Sequence, residues 1–256
     1  MKEKYWLLVC LSVVLLLSAC GQSQSNKQQK AEQEKTRITV SAAASLTDVT
    51  KELDKAFHQT HPDVTVDFNY GGSGALRQQI EKGAPADVFM SANTKDIDAL
   101  KSQGKVKDTY DYAHNQLVLI KQRGSAVKGV EALSGADKLA IGEVESVPAG
   151  KYAKMYLEDQ GLWQTVKSHV VYAKDVREVL NYVDKGNAQL GFVYATDLYV
   201  GEKAQQGVTK VADAQLQTPI TYRMGVVSDN QAAQAWMTFM QSEEAKKILK
   251  KYHFEV

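Results

Sequence analysis

The stretch Asn69–Ala92, NYGGSGALRQQIEKGAPADVFMSA, decides the fold. It follows Val64-Thr65-Val66-Asp67-Phe68, where apolar and polar residues alternate at the period of a half-buried strand. Gly71-Gly72 turns the chain, and from Ser73 the pattern becomes helical, with Leu76 and Ile80 on one face. A glycine turn ending in serine at a helix start is suited to an anion. The first-turn N–H groups point outward, the helix dipole adds partial positive charge, and the hydroxyl is a further donor. The arrangement recurs upstream: Ile38–Val40 reads as a strand, Ala42-Ala43-Ala44 as a tight turn, and Ser45-Leu46 as the opening of a helix through Phe57. Neither serine is accompanied by a P-loop lysine, so the pair points to an oxyanion receptor over a nucleotide enzyme.

Outward from these two units, strands and amphipathic helices keep alternating, which predicts an α/β fold with mixed, mainly parallel sheets. Strands are expected at Asp87–Met90, Gln116–Lys121, Lys138–Gly142, Val170–Tyr172, Leu190–Tyr194 and Thr221–Val227. Helices are expected at Thr94–Gln103, Lys151–Gln160 and Asp175–Lys185, with two more within Asn230–Lys251. Trp163 and Trp236 read as core anchors of their helices.

The first 19 of the 256 residues read as a signal segment: Lys2 and Lys4 lead an apolar run, Trp6–Leu17, too short for the ~20 residues that span a bilayer. Leu17-Ser18-Ala19-Cys20 resembles a lipoprotein signal, with Cys20 as the lipidated first mature residue. Cleavage there leaves 237 residues and one cysteine, so no internal disulfide is expected. Lys2, Glu3 and Lys4 leave with the signal, and the remaining 29 basic and 29 acidic residues balance. That balance argues against nucleic-acid binding. Residues 20–36 are polar and read as a flexible tether.

Six segments carry a family likeness, in order along the chain. They are Ala42–Thr47; Gly72-Ser73-Gly74 with Gln79-Ile80; Gly83–Phe89 with Ser91-Ala92; Val147–Gly150 with Tyr152–Lys154; Asp175-Val176-Arg177; and Gly191–Asp197. Together, from about Arg37 to the C-terminus, they resemble the molybdate-binding proteins of bacterial ABC importers. The resemblance implies a type II periplasmic-binding-protein fold, two α/β lobes joined by a hinge. Lobe 1 is expected at 37–117 and 220–256 and lobe 2 at 118–219. It also implies a tetrahedral oxyanion, molybdate or tungstate, held by hydroxyl and N–H groups of Ser45 and Ser73, by N–H groups of Ala149 and Val176, and by the phenol of Tyr194. No cofactor, no directly bound metal cation and no catalysis are implied. The partners implied are an ABC permease and, through Cys20, the outer face of the bacterial cell membrane, with the protein a monomer. Glu143 and Glu145 before Pro148, and Arg223-Met224 in the late strand, depart from the family pattern.

The residue chemistry agrees with a dianion site. Phosphate carries a proton near neutral pH and gains from an acceptor, whereas molybdate, tungstate and sulfate want donors alone, and none of the five positions is acidic. Sulfate on the same fold is the alternative ligand. Asp48 and Asp197 read as helix-start charges complementing the dipole. Arg77, Lys151, Lys174 and Arg177 flank the donors, either as steering charges or as solvated helix faces. His58 and His61, three apart, are the one conceivable metal pair, but no other histidine, cysteine or paired acids cluster nearby in sequence. A serine hydrolase is the remote reading, since neither serine lies in G-x-S-x-G.

Overall fold

The computed structural model describes residues 36–256; the expected signal segment, Cys20 and all but the last residue of the tether lie outside the described residues. In chain order the strands are β1 (Thr36–Ala43), β2 (Val64–Gly71), β3 (Val88–Ser91), β4 (Thr109–Asn115), β5 (Leu117–Gln122), β6 (Leu139–Gly142), β7 (Val170–Ala173), β8 (Leu190–Tyr194), β9 (Tyr199–Val200), β10 (Lys203–Ala204), β11 (Val208–Ala214) and β12 (Ile220–Val226). The α-helices are α1 (Val49–Thr60), α2 (Ser73–Glu81), α3 (Lys95–Ser102), α4 (Pro148–Asp159), α5 (Trp163–Val166), α6 (Val176–Asp184), α7 (Gln231–Met240) and α8 (Glu243–Lys251).

Ten of the strands form two five-stranded sheets of the same plan, ordered β2-β1-β3-β12-β4 and β7-β6-β8-β5-β11. In each, the first three strands run parallel and the fourth, β12 or β5, is reversed against both neighbours. Four strands of each sheet therefore point one way. Parallel neighbours require crossovers, and α1, α2, α4 and α6 supply them. The chain passes between the sheets at Gln116 and again through residues 215–219. Leu117, expected to end the first lobe, pairs with Tyr194 and Ala214 in the second sheet.

The core follows the apolar pattern. Ile38, Val40 and Ala42 of β1 are fully buried, and Trp236 of α7 packs edge-on against Phe57 and Phe68. A smaller cluster, including Leu76, Ile80, Phe89 and Ile97, is buried between α2, α3 and the first sheet. Trp163 is only half-buried, with the Lys154 ammonium over its ring.

Three local expectations need correcting. Ala42 and Ala43 extend β1, because its backbone keeps pairing with Tyr70 and Gly71. Ser45 then sits in a 3-10 turn, Ala44–Leu46, and the α-helix begins only at Val49. The helix expected from Lys151 begins at Pro148, whose fixed φ and missing N–H suit a first helical position.

Candidate functional site

Where β1, β2, α4, α6 and β8 terminate or begin, a small cavity lies between the two sheets. Ala43, Ala44, Ser45, Gly71, Gly72, Ser73 and Ala92 wall it from the first sheet, and Val147, Pro148, Val176 and Tyr194 from the second. The fold therefore brings Ser45, Ser73, Val176 and Tyr194 together around one space. Ala149 is not in its wall. It is fully buried one residue behind Pro148, in the first turn of α4. The cavity volume is about 10 Å³, the scale of a single small guest. Larger hollows of about 310 and 400 Å³ lie at the cleft rim, by Lys95, Lys151 and Tyr152, and behind the crossing segments, by His114 and Gln116. Neither is lined by Ser45, Ser73, Val176 or Tyr194, which meet only at the small cavity.

The backbone N–H groups of Ser45, Ser73, Ala149 and Val176 meet no acceptor among the described residues. Each stands in the first turn of a helical segment, where no earlier carbonyl is in reach. At α6 the Asp175 carboxylate caps the Glu178 N–H at 2.9 Å and leaves the Val176 N–H outward. At α2 the cap position is Gly72, so Ser73 is the first helical residue and its hydroxyl caps nothing. Its Oγ instead accepts the Ala92 N–H at 3.0 Å, which leaves its proton free. The Ser45 Oγ lies 2.9 Å from the Tyr222 Oη. The Tyr194 Oη is buried without any partner among the described residues. Burial, reinforced by Tyr222, Tyr152 and Asp197, pushes its pKa well above the ordinary phenol value, so it remains a donor. Three N–H groups, of Ser45, Ser73 and Val176, and three O–H groups thus belong to residues lining a space whose wall holds no charged side chain, with the Ala149 N–H one residue behind it.

Two of the four flanking charges, Arg77 and Arg177, are neutralised locally. Arg177 holds Asp48 across the sheets at 2.8 Å and lies 3.0 Å from the buried Asp197, the latter contact too misaligned for a hydrogen bond. Asp197 stands in the first turn of a 3-10 segment, Ala195–Leu198, where it is fully buried and accepts the Tyr194 N–H at 3.0 Å. Burial raises its pKa to about 6 against the opposing pull of Arg177 and that N–H. Arg77 pairs with Asp96 at 3.0 Å and with Glu81. Lys151 and Lys174 are exposed. His61 stacks on Phe57, and no cluster of three metal-ligating side chains exists among the described residues.

Sequence reasoning named Gly72 and Glu143 without their roles here and missed Ser146, Asn115 and Tyr222. The Glu143 carboxylate accepts the N–H groups of Glu145 and Ser146 and the Ser146 hydroxyl, and so shapes the turn entering α4. The Ser146 carbonyl in turn accepts the Gly74 N–H at 2.9 Å across the two sheets. Gly72 is required by close approach: a Cβ there would lie 2.7 Å from the Ser146 oxygen. Asn115 and Tyr222 stand behind Ser45 and carried no local signal.

The chain matches the family model described as bacterial extracellular solute-binding protein over residues 38–255. YvgL of Bacillus subtilis (strain 168), named as an ABC transporter substrate-binding lipoprotein, is 38% identical over 99% of both chains. The molybdate-binding protein ModA of Haemophilus influenzae is 34% identical, covering 85% of this chain and 89% of its own. Among solved structures, the periplasmic molybdate-binding protein of Azotobacter vinelandii superposes with a TM-score of 0.76 at 25% identity, over 86% of this chain and 99% of that one. With its two sheets of mostly parallel strands and a donor-lined cavity between them, this chain belongs to the bacterial extracellular solute-binding proteins.

Proposed function

We propose that this protein binds molybdate, and tungstate with it, between two lobes and delivers the anion to an ABC-type permease. One lobe is built on the first sheet, the other on the second, with Gln116 and residues 215–219 as the hinge. The observation that carries the reading is the set of six N–H and O–H donors of Ser45, Ser73, Val176 and Tyr194 around a space free of charged side chains, with the Ala149 N–H as a seventh directly behind it. A buried dianion needs its lone pairs satisfied. Each bond to an ionised group contributes ~1.5–3 kcal/mol, so seven amount to on the order of 10–20 kcal/mol before the costs of closure and immobilisation. Submicromolar binding needs only about −8 kcal/mol, so neutral donors suffice. The names of the relatives, molybdate-binding and ABC transporter substrate-binding, support the ligand and its destination.

Ser45 and Ser73 receive the anion on the first lobe. Rotation of the second lobe brings Val176, Tyr194 and, from the start of α4, Ala149 to it. The permease recognises the closed form. Export and lipidation of Cys20 hold the monomer at the outer face of the membrane. Calorimetric titration with molybdate, tungstate, sulfate and phosphate tests this: tight binding of the first two and far weaker binding of phosphate is expected. Tighter binding of sulfate than of molybdate would overturn the ligand assignment and leave the pocket.

A further inference from the structure

A chain of buried hydrogen bonds runs from the cavity into the segment where the chain crosses between sheets. The Gln116 N–H faces the Asn115 Oδ1 at 2.9 Å. An N–H can only donate, so this contact fixes which end of the Asn115 amide is oxygen. The amide nitrogen then faces the Thr196 Oγ1 at 2.9 Å and the Tyr222 Oη at 3.3 Å, which uses both of its hydrogens. Tyr222, fully buried, accepts from Asn115 and has one proton of its own, and its other hydrogen-bond neighbour is the Ser45 Oγ at 2.9 Å. Burial raises its pKa far above neutrality, so the phenol keeps that proton. Ser45 therefore accepts from Tyr222. Its own hydrogen has no acceptor among the described residues, and the cavity is the space beside it.

We propose that Tyr222 is a positioning residue that, held by Asn115, presents the Ser45 hydroxyl to the pocket as a donor, so that the site prefers fully deprotonated tetrahedral oxyanions to those that carry a proton. The proposal rests on the oxyanion reading of the cavity. A hydrogen phosphate must place its P–OH against a lone pair; the bond from Tyr222 occupies one of the two on Ser45 Oγ and turns the serine proton, the group a deprotonated oxyanion needs, toward the cavity. The Ser73 Oγ is committed in the same sense by the Ala92 N–H.

The test is calorimetry with molybdate and with inorganic phosphate at neutral pH on the wild type, Tyr222→Phe, Ser45→Ala and the double variant. Phenylalanine retains the ring contacts with Tyr112, Tyr194 and Phe254. Tyr222→Phe is expected to lower molybdate affinity about tenfold, the worth of one hydrogen bond, and to narrow the molybdate-to-phosphate ratio by a similar factor. The double variant is expected to bind no more weakly than Ser45→Ala, since Tyr222 acts through that hydroxyl. Asn115→Asp, which removes the donor from the far end of the chain, should narrow the same ratio. An unchanged ratio in Tyr222→Phe, or losses that simply add in the double variant, would overturn the relay. If Ser45→Ala weakens molybdate binding in those same titrations, the oxyanion site survives without it. A wild type that binds no molybdate would remove both.

Discussion

Ser73 begins a helix without capping it, and that displacement by one position is what frees its hydroxyl proton. Ser45 reaches the same condition from a 3-10 turn, with a tyrosine in place of a backbone amide. Replacing either serine by alanine removes one donor, and each change should weaken molybdate binding by ~1.5–3 kcal/mol. Tyr194→Phe should do likewise with an unchanged melting temperature; titration calorimetry and a thermal melt read both quantities. Asp197 gives the site a pH signature in stability. Its native pKa of about 6 exceeds the ~3.9 of an unfolded aspartate, so between these values the native state holds more protons. Its contribution is therefore greatest at low pH and declines as pH rises through about 6, a loss on the order of 3 kcal/mol by neutrality. Denaturant titrations across that window should show the stability difference between Asp197→Asn and wild type shifting in favour of the variant, then levelling above about pH 7. A flat difference would mean that Asp197 ionises normally. At this scale the sequence shows the serines, because glycine turn and serine are neighbours. It hides Tyr222 and Asn115, whose roles depend on partners 177 and 107 positions away.

Strands with an apolar run were legible, at the edges β2 and β7 as well as inside the sheets, and two polar edge strands were not. β1, β3, β6 and β8 read directly from their apolar runs. β4, with TYDYAHN, and β11, with VTKVADA, lie at sheet edges, where one side faces no strand and polar residues replace the apolar run. The helix starts were misplaced by a few residues for a related reason: continued pairing of β1 with β2 holds Ala42 and Ala43 extended, and this is a property of the pair. The start of α4 depends on one close approach. A Cβ on Gly150 would lie 1.9 Å from the Gly142 oxygen of β6, so helix and strand meet backbone to backbone. Gly150→Ala should push α4 off the sheet and cost ~1–3 kcal/mol or more of stability, read by urea denaturation. Because Ala149 precedes it, molybdate affinity should fall with it. A variant with native stability and affinity would show that this contact does not place the helix.

Taken whole, the molecule uses one plan twice, and the donors come from the strand ends of both copies, where open α/β sheets place their ligands. The two halves touch beside the cavity through Gly72, Gly74 and Ser146, with Arg177 and Asp48 paired alongside. Gly72 has φ −64° and ψ 132°, which alanine adopts freely, so Gly72→Ala should leave the unliganded protein as stable as wild type. Its Cβ would collide with Ser146 and Val147 only when the halves meet. X-ray scattering should therefore show molybdate contracting the wild type and failing to contract the variant. An equal contraction in both would separate closure from this contact.

The account stands on uncharged donors gripping a dianion between the two sheets. A crystal structure with molybdate bound, the metal located by its anomalous scattering, tests that most directly. It should place the anion among Ser45, Ser73, Ala149, Val176 and Tyr194, with Arg177 still paired to Asp48. An anion seated elsewhere, or bonded directly to a lysine, an arginine or a second metal ion, would contradict it.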